Sequence, residues 1–501
     1  MLRQRVRMKL IIFLKRMFVE RMTKNVRTKP SGHNQGKYSK RTARVKPDVG
    51  VAVRPDDELL ITIKRLGING EGIGYYKRKI TFIPGALPGE VVEVRVKKVA
   101  DHYIEANLLK IKKASPERVT PEDDQSVGGA ELAHLAYPAQ LVFKQDVIRQ
   151  ALEKYRPAGY RDYVLKPTLG MDEPRAYRNK AQFPIRKVNG KLAVGMYRRQ
   201  SHHLVDLPKI STQHPATLHV VRTVRDIIAQ LGIPVFDEKT HQGDIKTLIA
   251  RVSESTGDVQ LTLVTNSHQL PQERALFKAI HERLPEVVSI HQNINPGTGS
   301  LIWGDDTRLL WGAEYITEEI NGKHFKLSPR AFFQLNPKQT ERLYQEALVA
   351  LDLTHADNLI DAYSGVGTLG LSVAGQAGEV RGMDTIPEAI DDAIENAQAN
   401  GITNAHYYVG QAEQLIPAWQ AEGWQADALI VDPPRTGLDT SLRKLIVKTR
   451  PAKFVYISCN ASTLARDLVD LAKVYRVDYI QSIDMFPQTA RWEGIVKFTL
   501  K

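Results

Sequence analysis

One cysteine, Cys459, stands in Ile457-Ser458-Cys459-Asn460, at the end of an apolar run and before a residue type that caps helices. A helix N-terminus favours thiolate over thiol, so a cysteine placed there is a candidate nucleophile. A single cysteine is more commonly a small buried apolar residue; its place at a strand tip beside a cap argues for the nucleophile. Two carboxylates could work with it. Asp432 opens Asp432-Pro433-Pro434-Arg435, where two prolines stiffen the loop and remove backbone donors. Glu493 closes Met485-Phe486-Pro487-Gln488-Thr489-Ala490-Arg491-Trp492-Glu493 among aromatic and apolar neighbours. A thiolate with a carboxylate base is the equipment of covalent catalysis followed by proton abstraction. Taken singly, Asp432 also fits a rigid turn and Glu493 a solvated surface carboxylate.

A third group surrounds Asp361-Ala362-Tyr363-Ser364-Gly365-Val366-Gly367-Thr368. Gly365 and Gly367 permit a tight strand-to-helix turn and close approach of a ligand. Asp384, about 20 residues on, is placed to accept hydrogen bonds from ribose hydroxyls. The loop is read as short of a complete G-x-G-x-x-G fingerprint, and it lacks the Lys-Ser/Thr of a P-loop. Adenosine binding therefore fits as well as dinucleotide binding, and a purely structural turn is the simpler alternative.

These residues need elements to hold them. Apolar runs at Asn358–Tyr363, Val380–Asp384, His406–Val409, Ala426–Val431, Phe454–Ser458, Val477–Ile483 and Gly494–Leu500 predict strands. Helices are predicted at Ile386–Asn400, Ser441–Lys448 and Ser462–Val474. Such alternation implies a parallel, doubly wound sheet with its crevice at the carboxyl ends of the strands, where Asp432 and Cys459 fall. Near the start, Leu59–Ile63, Lys79–Ile83 and Glu90–Val96 read as short strands. Gly67, Gly70, Gly72 and Gly74 read as bends between them, and the whole suggests a small barrel of OB type. Tyr75, Tyr76, Lys77, Arg78 and Lys79 cluster at one bend, where aromatics and cations can stack bases and hold phosphates; an ordinary polar hairpin is the alternative. Between these regions, helices are predicted at Ala139–Tyr155 and Pro215–Leu231, and no repeat is evident.

As a set the motifs resemble the RNA uracil-C5 methyltransferase family, in particular its 23S ribosomal RNA members that begin with a TRAM domain. The resemblance runs from about Glu58 to Lys501 and includes Ser328-Pro329-Arg330-Ala331-Phe332-Phe333-Gln334-Leu335-Asn336 besides the motifs above. After a basic tail at 1–54, it implies a TRAM-like OB barrel at 55–115, a central α+β RNA-binding domain at 116–325 and a Rossmann-like, doubly wound methyltransferase domain at 326–501. It implies S-adenosylmethionine as cofactor, Cys459 as nucleophile and Glu493 as the base. Gln334, Tyr363, Gly365, Asp384 and Asp432 would bind the methyl donor, with Gln411 near the adenine. The chemistry is suited to uracil, whose carbon 5 is too electron-poor to attack a methyl donor unaided. Addition of a thiolate at carbon 6 makes carbon 5 nucleophilic, and a base must then remove the carbon-5 proton. Many relatives hold a four-iron cluster on cysteines, in a pattern resembling C-G-G-C. Here Val127-Gly128-Gly129-Ala130 occupies that place and Ile210 or Ser211 stands near the fourth ligand, so no iron–sulfur cluster and no metal are expected.

Composition sets the remaining bounds. The chain has 501 residues and a net charge of +14. Residues 1–54, with 16 Lys/Arg against two acids, carry all of that charge, and the remainder is formally neutral. Such a tail suits phosphate attraction, or is a solubilising, disordered arm. One cysteine excludes an intrachain disulfide and accords with a reducing cytoplasm. Lys15 and Arg16 interrupt the apolar run Leu10–Leu14, so neither a membrane span nor a signal peptide is expected. The expected partner is RNA, 23S rRNA ahead of tRNA, and the expected state a monomer. A dinucleotide-dependent oxidoreductase and a non-catalytic RNA assembly factor are the competing readings; the pairing of Cys459 with Glu493 argues against both.

Overall fold

Alternating apolar residues close the first strands into a barrel in the computed structural model, which describes residues 53–124, 126–199 and 201–501. The basic tail thus lies outside the described residues except for Val53 and Arg54. The barrel joins β1 (Glu58–Leu66), β2 (Gly72–Tyr76), β3 (Lys79–Ile83), β4 (Val91–Val99) and β5 (Tyr103–Lys113) in the order β1-β2-β3-β5-β4. Ile61, Ile63, Ile83, Val92 and Val94 fill it. Gly72 and Gly74, read from sequence as bends, lie inside β2. A Cβ on Gly74 would stand 2.3 Å from Ile61 Cγ2, and one on Gly72 2.7 Å from the Ala86 carbonyl. Close approach of neighbouring chain, rather than turning, requires these glycines. The cationic bend is a two-residue hairpin turn: Lys77 and Arg78 both have positive φ (43° and 75°), as the twist of a tight hairpin demands.

The centre of the chain begins with α1 (Tyr137–Tyr155), then β6 (Val164–Leu169). The helix starts two residues before the predicted Ala139, because Pro138 is tolerated in a first turn. Next come β7 (Lys180–Val188), β8 (Lys191–Val194), the short pair β9 (Met196–Tyr197) and β10 (Leu204–Val205), and α2 (Pro215–Leu231), which matches its predicted bounds. They are followed by β11 (Ile245–Val252), β12 (Val259–Thr265), α3 (Glu273–Arg283), β13 (Val287–Ile294) and β14 (Asp306–Gly312). A six-stranded sheet, β14-β13-β12-β11-β7-β8, packs one face on α2 and α3 through Val220, Val224, Ile227, Leu276 and Ile280.

The last region opens with the hairpin β15 (Ile316–Ile320) and β16 (Lys323–Leu327), then α4 (Pro337–Leu351), β17 (Asn358–Ala362), α5 (Thr368–Val373) and β18 (Glu379–Asp384). It continues through α6 (Pro387–Ala399), β19 (Ala405–Val409), α7 (Ala412–Ala421), β20 (Ala428–Val431), α8 (Thr440–Thr449) and β21 (Lys453–Ser458). It ends with α9 (Ala461–Leu471), β22 (Tyr475–Ile483) and β23 (Glu493–Leu500). Its sheet runs β19-β18-β17-β20-β21-β23-β22-β6. One face packs on α1, α7, α8 and α9, the other on α4, α5, α6 and the β15–β16 hairpin, so the sheet is doubly wound as expected. Two features go beyond the expectation. The eighth strand, β6, comes from 164–169 and pairs with β22. The sheet is also not wholly parallel, because β23 runs against both β21 and β22. The nine residues between β22 and β23 are too few for a parallel crossover, which needs a dozen or more, so the chain returns as an antiparallel neighbour.

Candidate active site

The parallel strands deliver their last residues to one edge of the sheet. Ala362 is level with Met383 and with Val431, and Val431 with Tyr456, so Tyr363, Asp384, Asp432 and Cys459 all emerge there. Gln411 follows β19 at the same edge, exposed, as the residue that begins α7. The reversed strand β23 brings its first residue, Glu493, to this edge. Gln334 arrives from outside the sheet: its carbonyl accepts from Asn179 Nδ2 (3.3 Å), and the next carbonyl, Leu335, from Asn179 N (3.0 Å). The convergence of residues more than 150 positions apart follows from strand polarity.

The glycine loop is held from beneath. Asp384 accepts Gly365 N on one carboxylate oxygen (3.2 Å) and Ile386 N on the other (3.0 Å). Tyr363 adopts φ 67°, and Gly365 and Gly367 also have positive φ, so the chain reverses sharply as it leaves β17. Gly365, Gly367 and Gly370 do satisfy G-x-G-x-x-G spacing, which corrects the expectation of an incomplete pattern. Gly370 is required by packing: its N–H donates to the buried Asp361 (2.9 Å), and a Cβ there would lie 2.8 Å from Asp361 Oδ2. Burial pushes the Asp361 carboxyl up to about 7. Two observations fit a nucleoside ligand here. The position a Cβ would take on Gly365 is open, and the adjacent Ser364 Oγ is buried without a hydrogen-bond partner.

Cys459 is half-buried. The next residue, Asn460, caps α9, its side chain accepting from Ser462 N (3.0 Å). The same side chain donates to the Arg435 carbonyl (2.9 Å), as does Thr463 Oγ1 (3.2 Å). The Asp432–Arg435 loop and the Ser458–Asn460 tip are thus one fixed unit. The thiol is not activated as the cap suggested. Burial, then the Glu493 and Asp432 carboxylates, push it up to about 11, and Arg435 only partly offsets them. Burial likewise pushes Asp432 up to about 7.

Glu493 is 4% exposed, so it is not the solvated carboxylate that an isolated acid suggests. Burial and Asp432 raise it to about 8, while Lys144 and Arg435 pull it down. The segment before it is held by side chains that sequence reasoning missed. Asn336 donates to the Met485 carbonyl (3.0 Å), Gln339 to Asp484 (3.0 Å) and the Tyr177 hydroxyl to Pro487 (2.9 Å). Gln140 and Lys144 reach the same segment from α1. Their signal was present in the sequence: they occupy the stripe of α1 whose other members, Phe143, Val147, Ile148 and Ala151, are core. At the positions where relatives would carry cluster ligands, Val127 and Ile210 pack into the core of the central sheet, and Ser211 N donates to Asp123 (2.7 Å). Among the described residues no helix is long and apolar enough to cross a membrane.

Residues 136–500 match the family described as tRNA (uracil-5-)-methyltransferase, and residues 55–109 match the TRAM domain. An uncharacterized RNA methyltransferase of Lactiplantibacillus plantarum is 56% identical over 93% of this chain and 97% of its own. One of Enterococcus faecalis is 53% identical over 90% and 99%. Among solved structures, the Pyrococcus abyssi tRNA (uracil-54, C5)-methyltransferase in complex with S-adenosyl-L-homocysteine superposes with a TM-score of 0.72 at 26% identity. That superposition covers 88% of this chain and all of the archaeal one. A TRAM barrel, a doubly wound methyltransferase sheet and a match to this family over most of the length agree: the chain belongs to the tRNA (uracil-5-)-methyltransferase family and is an S-adenosylmethionine-dependent RNA methyltransferase of the uracil-C5 type.

Proposed function

We propose that this enzyme methylates carbon 5 of a uridine in 23S rRNA, with Cys459 as nucleophile and Glu493 as base. The observation that carries the reading is the β21–β23 register, in which Ser458 pairs with Gly494, so that Cys459 and Glu493 face each other one residue further on. Bound S-adenosylmethionine supplies an electrophilic methyl group. Gln334, Tyr363, Gly365, Asp384, Gln411 and Asp432 would hold it, Asp384 and the open side of Gly365 facing the nucleoside. Cys459 gives up its proton to solvent and its sulfur adds to carbon 6 of the uracil; the electron pair so placed on carbon 5 takes the methyl group from the donor's sulfur, leaving a neutral thioether. Glu493 then removes the carbon-5 proton; the electron pair re-forms the C5–C6 double bond and expels the thiolate. A carboxylate raised towards neutrality is a better proton acceptor than an ordinary one, and its burial keeps water from the intermediate.

The barrel at 55–115 and the central region at 116–325 would grip the RNA, and 326–501 would carry the chemistry on a sheet completed by β6. Tyr75 is 52% exposed at the cationic hairpin, as a base-stacking residue would be. The resemblance to the TRAM-bearing 23S rRNA members favours ribosomal RNA. The archaeal enzyme, which acts on tRNA and superposes over its whole length, favours tRNA as the second reading. The enzyme is proposed to act as a monomer.

The test is methyl transfer from labelled S-adenosylmethionine to unmodified 23S rRNA and to bulk tRNA. Label on carbon 5 of rRNA uridines, abolished in Cys459→Ala, and a persistent covalent RNA adduct with Glu493→Gln are expected. Label on tRNA alone would keep the mechanism and replace the substrate. Undiminished transfer by Cys459→Ala would overturn the mechanism.

A further inference from the structure

Glu493 is delivered by the segment from Asp484 to Trp492, which contains no helix or strand and is shaped by side chains around it. Tyr137, Gln140 and Lys144 lie on one face of α1, at spacings of three and four residues. Tyr137 donates its hydroxyl to Asp484 Oδ2 (3.0 Å). Gln140 exchanges two hydrogen bonds with Gln488: its amide donates to Gln488 Oε1 (2.9 Å), and its Oε1 accepts Gln488 N (3.0 Å). Lys144 Nζ pairs with Asp484 Oδ1 and also donates to the Phe486 carbonyl (3.0 Å). Lys144 and Asp484 are both 0% exposed.

A lysine in the core is unusual, and an apolar pair of similar volume commonly holds two elements together as well as a buried ion pair does. An apolar pair would not supply a positive charge near the base. The groups acting on Glu493 are Asp432 and Arg435 on the loop after β20, Cys459 after β21, Tyr344 on α4, and Lys144 on α1. Asp432 opposes ionisation of Glu493; Lys144 and Arg435 favour it. Arg435 is exposed and screened by water, whereas Lys144 is not.

We propose that Lys144 is a positioning residue for uracil methylation: through Asp484 and the Phe486 carbonyl it fixes the segment that carries Glu493, and its buried charge keeps that carboxylate ready to accept the carbon-5 proton. The step it serves is the last one. The C5–H pair forms the C5–C6 double bond, the proton passes to Glu493, and the C6–S bond breaks to return the thiolate. Formation of the methylated adduct precedes that step and does not need Glu493 as base. The inference rests on the reading that Glu493 is the carbon-5 base.

The experiment separates the two halves of a single turnover. Full-length enzyme, labelled S-adenosylmethionine and whichever of the 23S rRNA and tRNA probes accepts methyl are mixed. Denaturation-stable adduct and free methylated RNA are then followed in time across pH. The double variant Lys144→Met/Asp484→Leu removes both charges at similar volume, and Lys144→Arg retains a cation. The double variant should form adduct within about twofold of the wild-type rate and release it about 100-fold more slowly, the loss expected of a misplaced base. The acidic limb of its release profile should move to higher pH, and Lys144→Arg should recover most of the rate. Release at the wild-type rate, or a parallel loss of both steps from a folded variant, would overturn the role of Lys144. A Glu493→Gln enzyme that accumulates no adduct would instead overturn the assignment of the base. Should the double variant not fold, Lys144→Gln, which removes the charge but can still hydrogen-bond Asp484, decides alone: release at least tenfold slower with adduct formation unchanged supports the proposal, and wild-type release overturns it.

Discussion

Cys459 and Glu493 stand opposite each other just beyond the end of an antiparallel ladder whose last rung joins Ser458 to Gly494. Neither residue is close to the other in sequence. Their proximity, with Asp432 beside them, disfavours the ionised form of each. Each carboxylate raises the thiol, and Asp432 raises Glu493.

Release of methylated RNA should therefore depend on pH through Glu493. As the proposed base, Glu493 must be ionised to take the proton, and burial holds it up to about 8. The release rate is expected to rise with pH through about 8 and level off above it. Rapid-quench measurement of adduct decay between pH 6 and 9.5 checks this; a flat profile would remove Glu493 from the step.

Stability should show the opposite sign. Glu493 has a folded-state value above its ordinary one, so its contribution is complete below about 4.5 and is lost as pH rises through about 8. Glu493→Gln removes that loss. The variant should melt above the wild type at pH 8.5 by more than about 1 kcal/mol in stability, with the gap closing towards pH 5. Differential scanning calorimetry of both proteins at the two pH values gives the answer.

Gly367 couples the Ser364–Gly367 loop, proposed to hold the methyl donor, to the fold. It has φ 80°, and a Cβ would lie 2.9 Å from the Tyr407 ring. Gly367→Ala should cost about 1–2 kcal/mol from the left-handed backbone alone. Displacement of the loop should weaken S-adenosylmethionine binding at least tenfold by titration calorimetry, whereas Gly401→Ala, with φ 64° and open space around it, should leave affinity unchanged.

Asn460 joins two site loops. Asn460→Ala removes the cap of α9, at about 1 kcal/mol, and leaves the Arg435 carbonyl held by Thr463 Oγ1 alone. Adduct formation should fall more than that stability loss alone explains, because the Asp432–Arg435 loop loses one of its two ties to the segment that carries Cys459. Asn460→Asp keeps the cap but lacks the donor, so it should recover stability without recovering the rate.

The cationic hairpin should act on RNA affinity and not on chemistry. Lys77→Ala/Arg78→Ala is expected to weaken RNA binding and reduce its logarithmic salt dependence by about 1–2, with the rate at saturating RNA unchanged. Tyr75→Ala should weaken binding with little change in the salt slope, since stacking releases no counterions.

Sequence alone determined most elements of the last sheet and the class of chemistry. Period and punctuation located seven of the eight strands of the doubly wound sheet to within a residue or two, because buried strands are near-continuous apolar runs; β6 was not foreseen. The strand ends at Tyr363, Asp384, Asp432 and Cys459 were legible for the same reason. Strand direction was not. Alternation of strands and helices predicted parallel pairing throughout, and only the folded chain reversed β23. That reversal matters because a parallel last strand would carry Glu493 to the far edge of the sheet, away from Cys459. The electrostatic balance was equally hidden. A helix cap at Asn460 argued for a lowered thiol, but burial beside two carboxylates outweighs it, and burial is a property of the packed core. Gly72 and Gly74 misled as bends, since the space each leaves free is occupied by residues distant in sequence, Ala86 of the β3–β4 connection and Ile61 of β1. The polar pair Gln140 and Lys144 was visible on a core stripe, yet its partners, Gln488 and Asp484, lie some 340 residues away and meet it only in three dimensions.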